Sequence, residues 1–249
     1  MSKALSMLIV ISLAVLLFSG TCKDRLPEPE KLLPAIAAEP VQDNKEQLPF
    51  DFKYMGTRYV VYPQASYELS GLLVSHNDIT AWWDIYHDEN SVDIKDICVV
   101  WGENLQPGVY KEVEFYNESV SCHYRPLTQK SQLAFNPRQF SNNHLLSGDE
   151  TVRDTIRNLK IGDQIKIRGR LVNYHQAGYS ELVRRTSLTR SDTAGGACEV
   201  IYVDELEVVS RAPRGWSRAY DISRRALFYG LLLKLLLFLL LPWLEYRYN

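Results

Sequence analysis

Apolar and polar positions alternate through the middle of this chain in short runs, and they stop alternating at its two ends. TRYVVYP, ASYELSGLLVS, DICVVWG, VYKEVEFYN, SVSCHYRP, QIKIRGRLVNY and CEVIYVDELEVV are rich in Val, Ile, Tyr and Phe and are punctuated by Pro, Gly, Asn and Asp. Such spacing predicts β-strands joined by tight connections, as in a sandwich or a barrel. One segment follows a different period. Ser147 and Glu150 fit a capping box, and Val152, Ile156 and Leu159 follow at helical spacing. The predicted helix stops at Gly162 and Asp163, a turn pair leading into the next strand. ITAWWDIYHDE (79–89) admits a second helix or an irregular crossing.

The order of these elements narrows the fold class. Strands, one capped helix, IGDQIKIRGRLVNY, a polar excursion and a last strand resemble the later half of an OB-fold, in which a helix sits between the third and fourth of five barrel strands. The expectation is therefore a mainly β, OB-fold-like small β-barrel flanked by N-terminal and C-terminal membrane helices. YELSGLLVSHN (67–77) and IKIRGRLVNYH (165–175) echo each other, with Gly71 matching Gly169. A mid-strand Gly, lacking Cβ, suits a strongly bent strand or one passed closely by another backbone. The echo reads as two strands of one barrel solving the same bending problem, with duplication as the alternative.

Continuous apolar runs bound the body. Residues 4–20 suit an uncleaved signal anchor, a signal-peptide core, or a leader cut before a lipid-bearing Cys22. Residues 226–244 approach the roughly 20 residues that cross a bilayer, and their leucines outweigh the single Lys234. The resulting plan is a signal anchor or signal peptide (1–21), a Pro- and Glu-rich spacer with little to bury (22–48), the β domain (49–210), a basic juxtamembrane segment (211–225) and a transmembrane helix (226–244).

Charge sharpens this plan. Residues 49–210 carry 16 basic and 22 acidic side chains, a net −6, which argues against phosphate backbones and hence against nucleic acid as a partner. Residues 211–249 carry 7 basic and 2 acidic. Arg211, Arg214, Arg218, Arg224 and Arg225, beside Trp216 and Tyr220, suit anionic lipid headgroups. Those arginines favour a cytoplasmic domain by the positive-inside rule, whereas the N-terminal run favours export. Long domains translocate largely regardless of charge, so the expectation is an extracytoplasmic domain on the inner membrane.

Little reactive chemistry is spelled out. SNNHLL (141–146), IGDQIKIRGRLVNY (161–174), RRTSLTRSDTAGGACE (184–199) and the WG at 101–102 resemble a family of bacterial membrane-anchored proteins. That resemblance implies an anchored domain and assigns no catalytic residues. The densest polar stretch offers Arg184, Arg185, Ser187, Arg190 and Asp192 as an anion-binding set, or as a hairpin whose polar groups satisfy one another. Such a set suits a small anionic ligand or an envelope protein partner. The enzymatic alternative is a thiol-dependent hydrolase or transferase using Cys198 and His144, with Asp192 or Asn143 orienting the base. Against it, a cysteine leading into VIYV suits a buried core position, and a histidine beside two Asn suits a cap or turn.

Metal-ligand spacings, phosphate loops and nucleophile elbows do not occur, so neither a cofactor nor a metal is expected. The carboxylates of DENSVDIKD (88–96) lack the pattern of a calcium loop and are expected to face solvent. Among the cysteines after Cys22, Cys98 and Cys122 are the pair to test for a disulfide, with buried free thiols as the alternative.

Overall fold

A computed structural model describes residues 2–45, 47–77, 92–118, 121–180, 183–189 and 198–248, with side chains described from residue 3 to residue 240. The chain divides into two compact units, 26–212 and a helical pair formed by 1–25 with 213–249.

Among the described residues the first unit contains nine strands: β1 (Val41–Asp43), β2 (Phe50–Tyr54), β3 (Thr57–Asn77), β4 (Lys95–Val100), β5 (Val113–Glu118), β6 (Ser121–Pro126), β7 (Phe140–Leu146), β8 (Gln164–Gln176) and β9 (Cys198–Ser210). Two runs that read as separate strands, TRYVVYP and ASYELSGLLVS, form the single long β3. This strand pairs with β8 along its first part and with β4 along its last, shifting register at Pro63/Ala65 and Leu73/Ser75. β4 then pairs with β7, β7 with β9, and β9 with β8. Because β8 also pairs with β3, the five strands close into a mixed ring, in which β7 and β9 run parallel and the other pairs antiparallel. β1 and β2 add to β3 outside the ring, and β5–β6 form a separate two-stranded sheet.

The echoing stretches turn out to be neighbours: Tyr67 lies opposite Gly169, Leu69 opposite Ile167, and Gly71 opposite Ile165. Both glycines are there for close approach. A Cβ on Gly169 would stand 2.2 Å from the Tyr202 carbonyl oxygen, and one on Gly71 would stand 2.3 Å from Val99 Cγ1. Alternation sends Leu69, Leu73, Ile97, Val99, Leu145, Ile165, Ile167, Leu171, Ile201 and Val203 into one core, closed by Trp101 and by Ile156 and Leu159.

The predicted helix is present. After the six-residue α2 (Gln129–Ala134), α3 spans Glu150–Arg157 between β7 and β8. Its cap differs from the expectation, because Asp149 rather than Ser147 accepts from the backbone N–H groups of Thr151 and Val152. Ser147 Oγ instead donates to the Val203 carbonyl and accepts from Asp149 N–H. At the other end the buried ammonium of Lys95 donates to the carbonyls of Arg157 and Leu159, each at 3.0 Å. A cation at a helix C-terminus satisfies orphan carbonyls and complements the dipole. Gly162 takes φ 87°, and Asp163 accepts from Lys160 N–H and Ala212 N–H, completing the turn that the sequence implied. The possible helix at 79–89 lies outside the described residues.

Much of the segment expected to be a bare spacer is packed. Ile36 is buried in a second core with Leu72, Val74, Val100 and Tyr110, and Leu26 and Leu32 lie against it. Tyr110 OH donates to the Pro27 carbonyl, and Gln164 bridges Leu33 N–H and the Lys31 carbonyl. Low hydrophobicity hid the fact that a few apolar residues, at the right spacing, suffice to seat an extended segment.

The second unit is a pair of helices, α1 (Ser2–Cys22) and α4 (Gly215–Tyr248). α1 is long and apolar enough to cross a membrane, and Met7, Val10, Leu17 and Phe18 on it are exposed. The helices run antiparallel, since Lys234 Nζ donates to Ser6 Oγ at 3.3 Å while the Phe18 and Trp216 rings meet at 5.1 Å. α4 begins well before the apolar run, so Arg218, Arg224 and Arg225 lie on the same continuous helix as the exposed Leu231–Leu233.

Candidate functional site

Strand geometry places the chemistry on the outer face of β4, β7 and β9. Asp96 lies opposite His144 and Cys98 opposite Asn142 across β4–β7, and Asn142 lies opposite Cys198 across β7–β9. Alternate residues share a face, so Asp96, Cys98, Asn142, His144 and Cys198 project together, away from the core that receives Ile97, Val99 and Leu145. This is an unusual face, polar and yet buried.

His144 is its centre. The sequence suggested a cap or turn for it, but it stands in mid-strand with no exposed side-chain surface. Nδ1 lies 2.6 Å from Asp96 Oδ1, itself fully buried, and Nε2 lies 2.7 Å from an Nη of Arg184. Asp93 approaches from the segment before β4 and accepts from Tyr174 OH at 3.1 Å. The acidic residues of DENSVDIKD that are described, Asp93 and Asp96, are thus buried rather than solvated. Burial pushes the Asp93 carboxyl up from its ordinary value, and burial with the Asp93 charge holds the Tyr174 phenol well above its own.

Opposing forces act on the imidazole. Burial disfavours its charged form, but hydrogen bonds with Asp96 and Cys198 and the charges of Asp96 and Asp93 outweigh that and raise it to about 10. Arg184 opposes them directly. A guanidinium has only donors, so its contact with Nε2 is a hydrogen bond only when that nitrogen carries no proton. Two buried carboxylates on one side and a donor-only guanidinium at Nε2 on the other therefore pull the ring in opposite directions. The Arg184 segment is fixed to the ring by the bridge of Tyr174 with Arg184 through both backbone hydrogen bonds, and by Thr186 N–H donating to Asn173 Oδ1 and Ser187 N–H donating to the Cys198 carbonyl.

The residues proposed from sequence are distributed as follows. Cys198 and His144 are brought together on one face, closely enough for the Cys198 side chain to contribute to the His144 shift. Asp96, which the sequence did not single out, takes the orienting position. Asn143 does not, because the next residue along a strand faces the other way; its Nδ2 donates to Ser141 Oγ and the Ile97 carbonyl. Asp192 and Arg190 lie outside the described residues. Of the anion-binding set, Arg184 is committed to His144, and Ser187 is buried in a turn, its Oγ donating to the Thr189 carbonyl and accepting from Thr189 N–H. Arg185 differs. It is exposed, makes no ion pair with any described residue, and borders a cleft of about 450 Å³ with Tyr62, Gln64, Asn173, His175 and Val183. At the cleft wall, Tyr62 OH donates to His175 Nε2 at 3.2 Å while His175 Nδ1–H donates to the Gln176 carbonyl at 2.9 Å.

Cys98 and Cys122 form a disulfide with a Cα–Cα distance of 5.8 Å, tying the β5–β6 hairpin to β4, while Cys22 and Cys198 are not disulfide-bonded. Asn117, in the sequon Asn117-Glu118-Ser119, turns its carboxamide inward to accept from Ser75 Oγ. No group of His, Cys, Asp and Glu among the described residues could hold a metal ion. Comparison with protein-family models, with curated proteins and with solved structures returns no match. The site must be interpreted from its own geometry.

Proposed function

We propose that this chain is a membrane-tethered, extracytoplasmic binding module that takes a small anionic ligand in the Arg185 cleft. The supporting architecture is a closed ring of five strands, β3, β4, β7, β9 and β8 in spatial order, with α3 between β7 and β8 and with β7 parallel to β9, which we read as an OB-fold-like barrel. In such barrels the connections between the first two and the last two strands flank the binding face. Here these are 78–94 and 177–197, and the second carries Arg185. Two antiparallel membrane helices would leave both termini on one side of the bilayer and the β domain on the other. The Cys98–Cys122 disulfide suits an oxidising compartment. Arg211, Arg214, Arg218, Arg224 and Arg225 would then meet anionic headgroups of the bacterial inner membrane.

One observation carries the ligand: a guanidinium without a carboxylate partner among the described residues, at the edge of a concave surface with aromatic walls. Guanidinium pairs carboxylate and phosphate in a bidentate fork. Calorimetric titration of the full chain in zwitterionic nanodiscs, with succinate and inorganic phosphate as probes, tests it. At least one probe should bind saturably, weaken with salt, and lose about tenfold or more in Arg185→Gln, the scale of a lost charged hydrogen bond. Equal affinity in the variant, or no binding of either probe, overturns the assignment.

The Cys198–His144 contact favours a second reading, a thiol-dependent hydrolase or transferase with Asp96 as orienter. It is the weaker one, because Arg184 occupies Nε2 and the imidazole has no exposed surface.

A further inference from the structure

The outer face of β7 gathers three of the four cysteines around one side chain. Asn142 sits between Cys98 on β4 and Cys198 on β9 in a single cross-strand row, and Cys122 reaches down onto that row from the β5–β6 hairpin. One end of the Asn142 carboxamide lies 3.2 Å from Cys122 Sγ, and the other lies 3.1 Å from Cys198 Sγ. A disulfide sulfur has no hydrogen to give, whereas a thiol has one. The satisfying orientation therefore has the amide N–H₂ donating to Cys122 Sγ and the amide oxygen accepting from the Cys198 thiol. Amide nitrogen and oxygen are about 2.2 Å apart by covalent geometry, so the Cys198 thiol and the disulfide sulfur are held within about 9 Å of each other.

We propose that Cys198 is the nucleophile of a three-cysteine exchange centre, attacking Sγ of Cys122 and releasing Cys98. In this step the Cys198 thiol loses its proton to water and its sulfur lone pair forms the bond to Cys122 Sγ. The Cys98–Cys122 bond breaks with its electron pair leaving on Cys98, which takes up a proton. One disulfide and one thiol are present before and after, so no oxidant or reductant is consumed. Exchange requires the thiolate of Cys198, which shares its face of the sheet with His144 and the Arg184 guanidinium bound to that ring.

The new bond demands movement, and the fold permits it. Bridged cysteines need Cα atoms about 4.4–6.8 Å apart, and β4 and β9 lie two strand spacings of about 4.8 Å apart with β7 between them, so the hairpin must slide by one to two strand spacings, from over β4 towards β9. Among the described residues β5 and β6 pair with each other and with no ring strand. They are held to the ring by side chains: the disulfide, Asn117 with Ser75 and Cys98, Cys122 with Asn142, Val113 in the second core, and aromatic packing of Phe115 and Tyr124 against Phe135 and Phe140. Sliding therefore breaks no ladder. Exchange also replaces a partly exposed thiol, Cys198, by a fully buried one, Cys98, so it would change both the hairpin position and the thiol that the outside can reach. This inference does not depend on the Arg185 cleft.

Connectivity mapping tests it. The full chain in membranes is incubated with a trace of glutathione, quenched in acid, alkylated and digested without reduction, and the linked peptides are identified by mass spectrometry. A Cys122–Cys198 linkage should appear as a minor species in the wild type, be lost in Cys198→Ser, and be enriched about tenfold or more in Cys98→Ser treated with oxidised glutathione, where the competing linkage is gone. If Cys98–Cys122 is the sole linkage in the wild type, the proposal is overturned, whatever becomes of the Cys98→Ser fold.

Discussion

The two faces of the same three strands, β4, β7 and β9, follow opposite rules. Inward, Ile97, Val99, Leu145, Ile201 and Val203 meet the residues of β3, β8 and α3 in an apolar core, where burial itself is the stabilising term. Outward, Asp96, Asn142, His144 and Cys198 are covered by other segments and must be satisfied group by group, because an unpaired buried polar atom costs what water would have supplied. The inner face is tolerant of chemistry and strict about shape. On the outer face shape matters less, and each charge needs its partner.

The largest break in this comparison should come from shape on the inner side. Gly169→Ala would place a methyl 2.2 Å from the Tyr202 carbonyl, which neither strand can relieve without breaking the β8–β9 pairing. Overpacking of this kind costs about 1–3 kcal/mol and more where backbone is the obstacle. The expected outcome is a domain that unfolds at clearly lower denaturant or does not accumulate. A midpoint within error of wild type would show that the ring is looser than described.

Charge should matter next, on the outer side. Arg184→Met removes the guanidinium at His144 Nε2 from a ring that Asp96 and Asp93 already raise to about 10. The folded pKa then exceeds the unfolded value of about 6.5. The associated stability is therefore complete below pH 6.5 and is lost as pH rises through about 10. Each tenfold difference in proton affinity between the folded and unfolded ring is about 1.4 kcal/mol. Nitrogen-15 shifts of the imidazole should report a protonated ring in the variant at pH 7. A neutral ring in Arg184→Met would remove Asp96 and Asp93 from control of the site.

The smallest effect tests the helix that closes the ring. Asp149→Ala removes the acceptor of two backbone N–H groups and should cost about 0.5–2 kcal/mol. The reverse ranking, with Ser147→Ala costing more, would mean that the Ser147 bond to the Val203 carbonyl outweighs the cap.

How much of this was legible depended on whether the signal was local. Alternation, glycine spacing and the Gly162-Asp163 turn are properties of neighbouring residues, and they marked six of the nine strands and α3. β7 escaped because FSNNHLL joins two asparagines to a histidine, a composition poor in strand formers, and it is held in the ring by partners on both sides, β4 and β9. The cap was misplaced by two residues because Ser147 and Asp149 are both good caps, and only the nearby Val203 carbonyl decides which is free. Cys198 and His144 were named together, but their orienter was sought nearby in the chain. Asp96 lies 48 residues before His144, in a charge run that looks solvated until another strand covers it.

By itself, then, the amino-acid order determined what each segment could become: short bent strands with glycine at the crowded points, one capped helix, apolar helices at the ends, and an acidic body beside a basic tail. These follow from side-chain volume, backbone freedom and hydropathy, which need no distant partner. Tertiary structure alone decided which residues share a face. Ring closure set Asp96 against His144, turned Arg184 onto the same ring, and gathered Cys98, Cys122 and Cys198 around Asn142. Such encounters depend on strand register, and a register shift of a single residue would send every one of those side chains to the opposite face.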